Sequence, residues 1–540
     1  TIMYKDDKLY VAHSANGPIY LQGKMANRHG LIAGATGTGK TVSLQVLAET
    51  FSQAGVPCFM ADMKGDLSGI SQAGKMNGFI EKRCAEFGIE NPPFEGSPTR
   101  FFDVFGEQGY CMRTTVSAMG PQLLSRLMEL NETQAGVLNI VFRIADDKEL
   151  LLIDLKDLRL MLDFVGKNAS QFTTEYGNIS AASIGAIQRA VLAIESQGGD
   201  KFFGEPAFDV DDLIATENGR GVMNVLAADK LMHNPKLYST FLFWLLTELY
   251  IQLPEVGDRP LPKLIFFFDE AHMLFQDTSK ALVSKIEQVI RLIRSKGVGI
   301  YFVTQSPSDI PEIVLGQLGN RIQHALRAYT PKDQKVVRAA AQTFRPNPEF
   351  KTEDAITELA TGEALVSFLD EKGAPSVVER ARILFPLSSI GPITEGQRLD
   401  INNAVPAEIK AYDKYFDRES AYEVLMDHYE KAAKAAEEAM IQAEKEKEEA
   451  AKEKEKKKSS GKKGGISRTI FGTMIGAAAT SFLRSMATQA GKQVFNKKSS
   501  STKGSKSKKS GDSALGRAAK TATTTATRKI TEEVLKNIFK

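Results

Sequence analysis

The chain has 540 residues, 42% hydrophobic and 25% charged, enough for a sizeable core and more than one structural unit. Three widely spaced cysteines (Cys58, Cys84, Cys111) exclude a disulfide scaffold, and the six scattered histidines offer no zinc-ligand spacing. No signal-peptide pattern opens the sequence, so a reducing, cytoplasmic location is expected. The net charge of +3 hides a split. Residues 1–405 carry 40 Lys+Arg against 48 Asp+Glu, residues 406–455 carry 9 against 15, and residues 456–540 carry 20 against 3.

Residues 1–395 are expected to form an α/β domain with a mostly parallel sheet, because short continuous apolar runs alternate with helix-period stretches. A hairpin is expected first, from Leu9–Ala12 and Ile19–Gly23. The strand Leu31–Ala33 then runs into Gly34-Ala35-Thr36-Gly37-Thr38-Gly39-Lys40-Thr41, which matches GxxxxGK[ST] between a strand and a helix. Glycines there let backbone N–H groups turn inward around phosphate oxygens, and the helix N-terminus adds partial positive charge. Lys40 is placed to reach the β- and γ-phosphates of ATP, and the Thr41 hydroxyl to ligate Mg²⁺.

The strand Pro57–Ala61 leads to Asp62-Met63-Lys64-Gly65-Asp66, where an acid orients water or metal, or the segment is simply a turn; both readings stand. Residues 121–218 are rich in Leu, Ala, Asp and Gln, and read as a helical insertion before the strand Gly221–Ala227. A helix is expected over Leu237–Gln252. The strand Leu264–Phe268 ends in Asp269-Glu270-Ala271-His272. Asp269 suits the Mg²⁺ shell and Glu270 a general base that polarises water, whereas His272 is at least as well explained as a structural partner. A helix over Ser279–Lys296 carries Arg291 and Arg294. The strand Gly299–Val303 ends at Gln305, which either senses the γ-phosphate or caps the loop that follows. Arg321 lies beyond that loop. One arginine of Arg291, Arg294 and Arg321 is expected to be catalytic, and spacing does not choose among them.

The P-loop, the DEAH strand, VTQSP, RSKGVG and LGNRI together resemble the HerA–FtsK group of P-loop ATPases, and the HerA-like branch most of all. GATGTGKTVSLQVLAE, DMKGDLSG, RTTVSAMGP, LNETQAGVLNIVFRIAD and HALRAYTPKDQKVVRAAAQTF resemble a bacterial family of HerA-like ATPases over about residues 5–395. The resemblance implies a RecA-like sheet with the VTQ strand between the P-loop and DEAH strands, setting Gln305 beside the γ-phosphate. It further implies a homo-oligomeric ring, usually a hexamer, with ATP at subunit interfaces and an arginine supplied in trans, for which Arg294 is the better match than Arg321. With 33 residues before Gly34, a hairpin is expected there rather than the β-barrel of HerA proper. No second RecA-like domain or superfamily-2 motif set is evident, so the DEAH tetrapeptide does not signify a DEAH-box helicase.

Residues 396–458 are expected to be a charged helical extension, with a solvated helix over Ala407–Lys458 supported by i,i+4 charge pairs. Residues 459–540 are expected to be a basic, partly disordered tail with short apolar helices. Within it, residues 466–495 suit docking on a partner helix or lying on a membrane surface. Three functions follow: a DNA translocase or helicase-type motor; a protein-remodelling or secretion-type ATPase; or an ATP-switched scaffold localised by its tail.

Overall fold

The computed structural model describes residues 3–276, 278 and 280–458. The chain divides into two compact units: residues up to Ile144 with Leu151–Arg418, and Ala145–Leu150 with the residues from Glu419.

The first unit is built on one mixed sheet. Its strands are β1 (Lys8–Ser14), β2 (Gly17–Gln22), β3 (Gly30–Ala33), β4 (Cys58–Asp62), β5 (Thr99–Asp103), β6 (Met223–Ala227), β7 (Leu264–Phe268), β8 (Val298–Thr304), β9 (Asn320–Gln323), β10 (Glu363–Ser367) and β11 (Glu379–Ile383). Their order is β2-β1-β11-β10-β9-β3-β8-β7-β4-β6-β5, with two-residue strands Tyr4–Lys5 and Tyr110–Cys111 added on β1 and β5. From β9 to β5 every neighbouring pair is parallel; from β9 through β10, β11 and β1 to β2 every pair is antiparallel. The VTQ strand β8 lies between the P-loop strand β3 and the DEAH strand β7, the order that the family resemblance implies.

The central strands are apolar throughout because helices cover both faces. On one face Phe267 packs with Tyr301 at 5.6 Å between ring centroids, and both meet Phe51 of the P-loop helix Lys40–Gln53. On the other, Phe266 stacks on Phe59 at 4.8 Å, and Phe268 on Phe302. The Tyr301 ring leaves no room for a side chain at Gly30, where a Cβ would lie 2.4 Å from it. His29, just before β3, is fully buried. Its Nε2 donates to the Ile290 carbonyl (2.6 Å) and its Nδ1 accepts from the Ile300 N–H (2.9 Å), so the ring is neutral. Burial holds its pKa down to about 4.

Several expectations differ from the structure in their limits. Helix Pro235–Gln252 begins two residues early on a proline at its first position, capped by the Asn234 side chain. Helix Lys280–Ile293 gives way to a 3₁₀ turn at Arg294–Lys296. Gly221 pairs with Thr216 in a small separate hairpin and does not open β6. The long charged helix starts at Ala421 and runs to Lys458, not from Ala407. Residues 407–418 belong to the first unit: Arg113 donates to the Tyr412 carbonyl, and the Tyr412 hydroxyl donates to Asp212. Those bonds hold the chain away from a continuous helix. Residues 466–495, like all of 459–540, lie outside the described residues. Among the described residues no helix is long and apolar enough to cross a membrane.

Phe267→Ala removes a fully buried ring from the centre of this packing. It is expected to destabilise the first unit by about 3–5 kcal/mol, read as a lower denaturant midpoint in equilibrium unfolding.

Candidate functional site

The site forms where β3, β8, β7 and β4 end. Thr304 pairs with Ala33 and Phe302 with Phe268, so the residues that follow these strands emerge on one rim. The Gly34 N–H donates to the Thr304 carbonyl (3.2 Å), joining the P-loop to the residue before Gln305. Gly34 has φ +156° and a Cβ there would meet His324 Cβ at 2.4 Å, so only glycine serves. Ala35, Thr36, Gly37, Thr38 and Gly39 complete the loop, and Lys40 opens the helix with Thr41 at its second position. Lys40 Nζ donates to the carbonyls of Gly34 (2.6 Å) and Ala35 (3.1 Å).

The acidic pair shares this space with Lys40. Burial lowers the Lys40 pKa, the negative charges of Asp269 and Glu270 act against that, and Lys64 adds to the lowering. The P-loop lysine and the two acids therefore lie within electrostatic reach of one another. Asp269 is half-buried, and desolvation followed by the Glu270 charge raises its pKa to about 6. Its Oδ1 accepts from the Glu270 N–H (2.9 Å), and the Tyr238 hydroxyl donates to its carbonyl (2.7 Å). Glu270 takes left-handed backbone angles (φ +50°), and its carboxylate lies 3.4 Å from His272 Nδ1.

Asp62 ends β4, the strand beside β7. Its Oδ2 accepts from the Leu67 N–H (3.2 Å), while its buried Oδ1 has no hydrogen-bond partner. Burial, then Asp66, raises its pKa to about 7, and Asp269 adds to the rise. Gln305 is exposed at the end of β8, on the same rim.

A magnesium ion fits this donor set. A carboxylate and a hydroxyl are the hard oxygen ligands it prefers, and a partly desolvated carboxylate such as Asp269 beside a second acid is eased by a cation. Thr41 and Asp269 are the residues that would hold it. Among the described residues no cluster of three or more His, Cys, Asp and Glu forms a metal cage of its own.

The arginines lie elsewhere. Arg294 lies four residues before β8 begins, so the whole seven-residue strand, about 20 Å, separates it from the rim. Arg291 pairs with Glu287 (3.1 Å) on the same helix. Arg321 sits on β9 and donates to the carbonyls of Leu318 (3.0 Å) and Leu315 (2.9 Å).

Two contributors escaped the sequence reading. His324, at the end of β9, packs under Gly34, and its Nε2 lies 2.7 Å from Ser43 Oγ. Burial and then the Lys40 charge hold its pKa down to about 4. Its place just after a strand was the available signal. The Thr361-Gly362 turn also braces the loop, the Gly362 N–H donating to the Thr38 carbonyl (3.1 Å) and Thr361 Oγ1 to that of Gly37 (3.5 Å). Nothing in sequence marks that contact.

A parallel sheet with a glycine loop on one strand and an acidic pair two strands away defines a P-loop nucleoside triphosphatase. The model of the helicase HerA-like C-terminal family matches residues 7–533, and the chain belongs to that family of P-loop ATPases. A stretch of 99 residues is 30% identical to the DNA double-strand break repair helicase HerA of Sulfolobus acidocaldarius, covering 18% of this chain and 19% of that protein. This match thus spans about a fifth of that relative's length. Among solved structures, the plasmid coupling protein TrwB with a non-hydrolysable ATP analogue is 15% identical, covering 72% of this chain and 92% of its own at a TM-score of 0.49. VirB4 of Thermoanaerobacter pseudethanolicus is 13% identical, covering 71% and 97% at a TM-score of 0.47. At those scores neither likeness adds to the topology given above.

Asp62 gives a pH test. Its folded pKa is raised, so its contribution to stability is complete below the unfolded value and is lost as pH rises through about 7. Asp62→Asn is expected to match the parent below about pH 4 and to gain on it as pH rises, becoming more stable at pH 8 by on the order of 4 kcal/mol. Thermal melts across that range check the sign.

Proposed function

We propose that this chain is a Mg²⁺-dependent ATP hydrolase that drives a ring-forming motor on DNA. The observation that carries the hydrolase reading is the level register of β3, β8 and β7, which brings the P-loop and the acidic pair to one rim with Lys40 within electrostatic reach of Asp269 and Glu270. N–H groups from Gly34 to Thr41 wrap the phosphates, and Lys40 exchanges its carbonyl partners for β- and γ-phosphate oxygens. Thr41 and Asp269 would hold the metal. When bound, Mg²⁺ supplies charge that neutralises the β- and γ-phosphate oxygens. Glu270 takes the proton of the attacking water and Gln305 orients that water. Arg294 acts on the site of a neighbouring copy, since its own site is a strand length away. Arg321, committed to loop carbonyls, is the second candidate for that role.

DNA as the substrate is supported by family membership and by the relative named a DNA repair helicase. The basic composition of residues 456–540 suits phosphate backbones. A protein substrate is the second reading, favoured by the excess of acidic residues over residues 1–405. The ATP-switched scaffold is the third, and it rests on the tail alone.

Lys40→Ala is expected to abolish nucleotide binding or turnover. Glu270→Gln should keep binding and lose about 100-fold or more in turnover. A Glu270→Gln protein that hydrolyses ATP at the parental rate removes the glutamate from the mechanism.

For the motor, ATPase rates with and without single- and double-stranded DNA, paired with mass in solution, are expected to show stimulation by DNA and an assembly larger than one chain. A rate indifferent to DNA of every form and length would sink the DNA reading and leave the hydrolase intact.

A further inference from the structure

A general base works only from one orientation toward the proton it takes. At Glu270 that orientation is set by a backbone with φ +50° and ψ +44°, left-handed angles that an L side chain adopts at a cost. Neighbouring groups must therefore hold the peptide that joins Asp269 to Glu270. That peptide is planar, and both of its polar atoms are bonded. Its N–H donates to Asp269 Oδ1 (2.9 Å), and its carbonyl, that of Asp269, accepts from the Tyr238 hydroxyl (2.7 Å). The first bond is internal to the acidic pair. The second comes from a separate helix and ties the pair to it.

Tyr238 is suited to that task. It stands four residues after the Asn234 cap of helix Pro235–Gln252, and its side chain is fully buried. Burial, then the charges of Asp269 and Glu270, pushes its hydroxyl pKa well up, so the group stays a donor. Arg126 tethers the far side of the same turn. Its Nη2 donates to Ser239 Oγ (3.0 Å), beside Tyr238 in sequence, and to the Leu274 carbonyl (3.2 Å) at the end of the turn Ala271–Leu274. Within the turn the Met273 N–H donates to the Glu270 carbonyl (2.9 Å). Helix and turn are thus joined on both sides of Glu270. Without the tyrosine oxygen the Asp269 carbonyl loses this bond, and the peptide gains freedom to rotate and to carry the Glu270 carboxylate with it.

We propose that Tyr238 is a positioning residue for ATP hydrolysis, fixing the Asp269–Glu270 peptide so that the Glu270 carboxylate faces the attacking water. The proposal rests on Glu270 being the general base. ATPase kinetics and titration calorimetry with Mg·ATP, both on the full chain, test it. Tyr238→Phe is expected to lower kcat about tenfold while KM and ATP affinity stay within about twofold of the parent. In a Glu270→Gln background, where no base is left to aim, the same substitution should cause no further loss in single-turnover hydrolysis. Tyr301→Phe is the control for a buried bond of the same kind. Its hydroxyl donates to the carbonyl of Ala26, which precedes β3, and this variant should melt earlier yet keep the parental kcat. Thermal melts verify that each variant folds. A parental kcat in Tyr238→Phe, a parallel loss of ATP affinity, or an equal fall in the two backgrounds overturns the positioning role while leaving the Glu270 assignment in place. Parental turnover in Glu270→Gln overturns both.

Discussion

The register of β3, β8 and β7 is the constraint on which the site depends. Thr304 opposite Ala33 and Phe302 opposite Phe268 set the strand ends level, so that a glycine loop and an acidic pair 229 positions apart in sequence face one space. A slip of one residue would turn every side chain of the slipped strand to the opposite face. It would move Phe267 out of its contact with Phe51 and Tyr301, so the aromatic packing and the placement of the acids are one requirement.

The rim concentrates charge that burial opposes. Asp62 and Asp269 are both pushed toward neutrality, and Lys40 is pulled below the ordinary lysine value, each with burial as the main cause. Such groups are costly for the folded chain on their own and become favourable around a ligand of opposite charge. Rigid supports hold them despite that cost: the neutral His29 at the base of β3, His324 under Gly34, and the Thr361-Gly362 turn against the loop.

Much of this was readable in the chain. LIFFF before an acidic pair declares a buried strand and its end, and GATGTGK after LIA declares the loop, because both signals are local. The antiparallel wing was not readable. β11, ERARI, alternates charged with apolar residues and is too short to announce itself, and β10 becomes a strand only through its pairing with β9 and β11. Residues 407–418 read as a helix by composition, yet bonds from Arg113 and to Asp212, some 200 or more positions away, decide otherwise. Asp62 was an even choice between turn and function; its unpartnered Oδ1 and its proximity to Asp269 come only from three dimensions.

The place of Arg294 bears on architecture. It stands at the entry of β8, whereas the phosphate loop stands beside that strand's exit. On the proposed reading this guanidinium serves the pocket of another copy, and a head-to-tail contact would set the entry of β8 in one copy against the phosphate loop of the next. Repeated, such a polar contact closes into a ring or continues as a filament. Completing the chemistry and choosing the symmetry of the assembly would then be a single event, and a solitary chain would hold only part of the machinery.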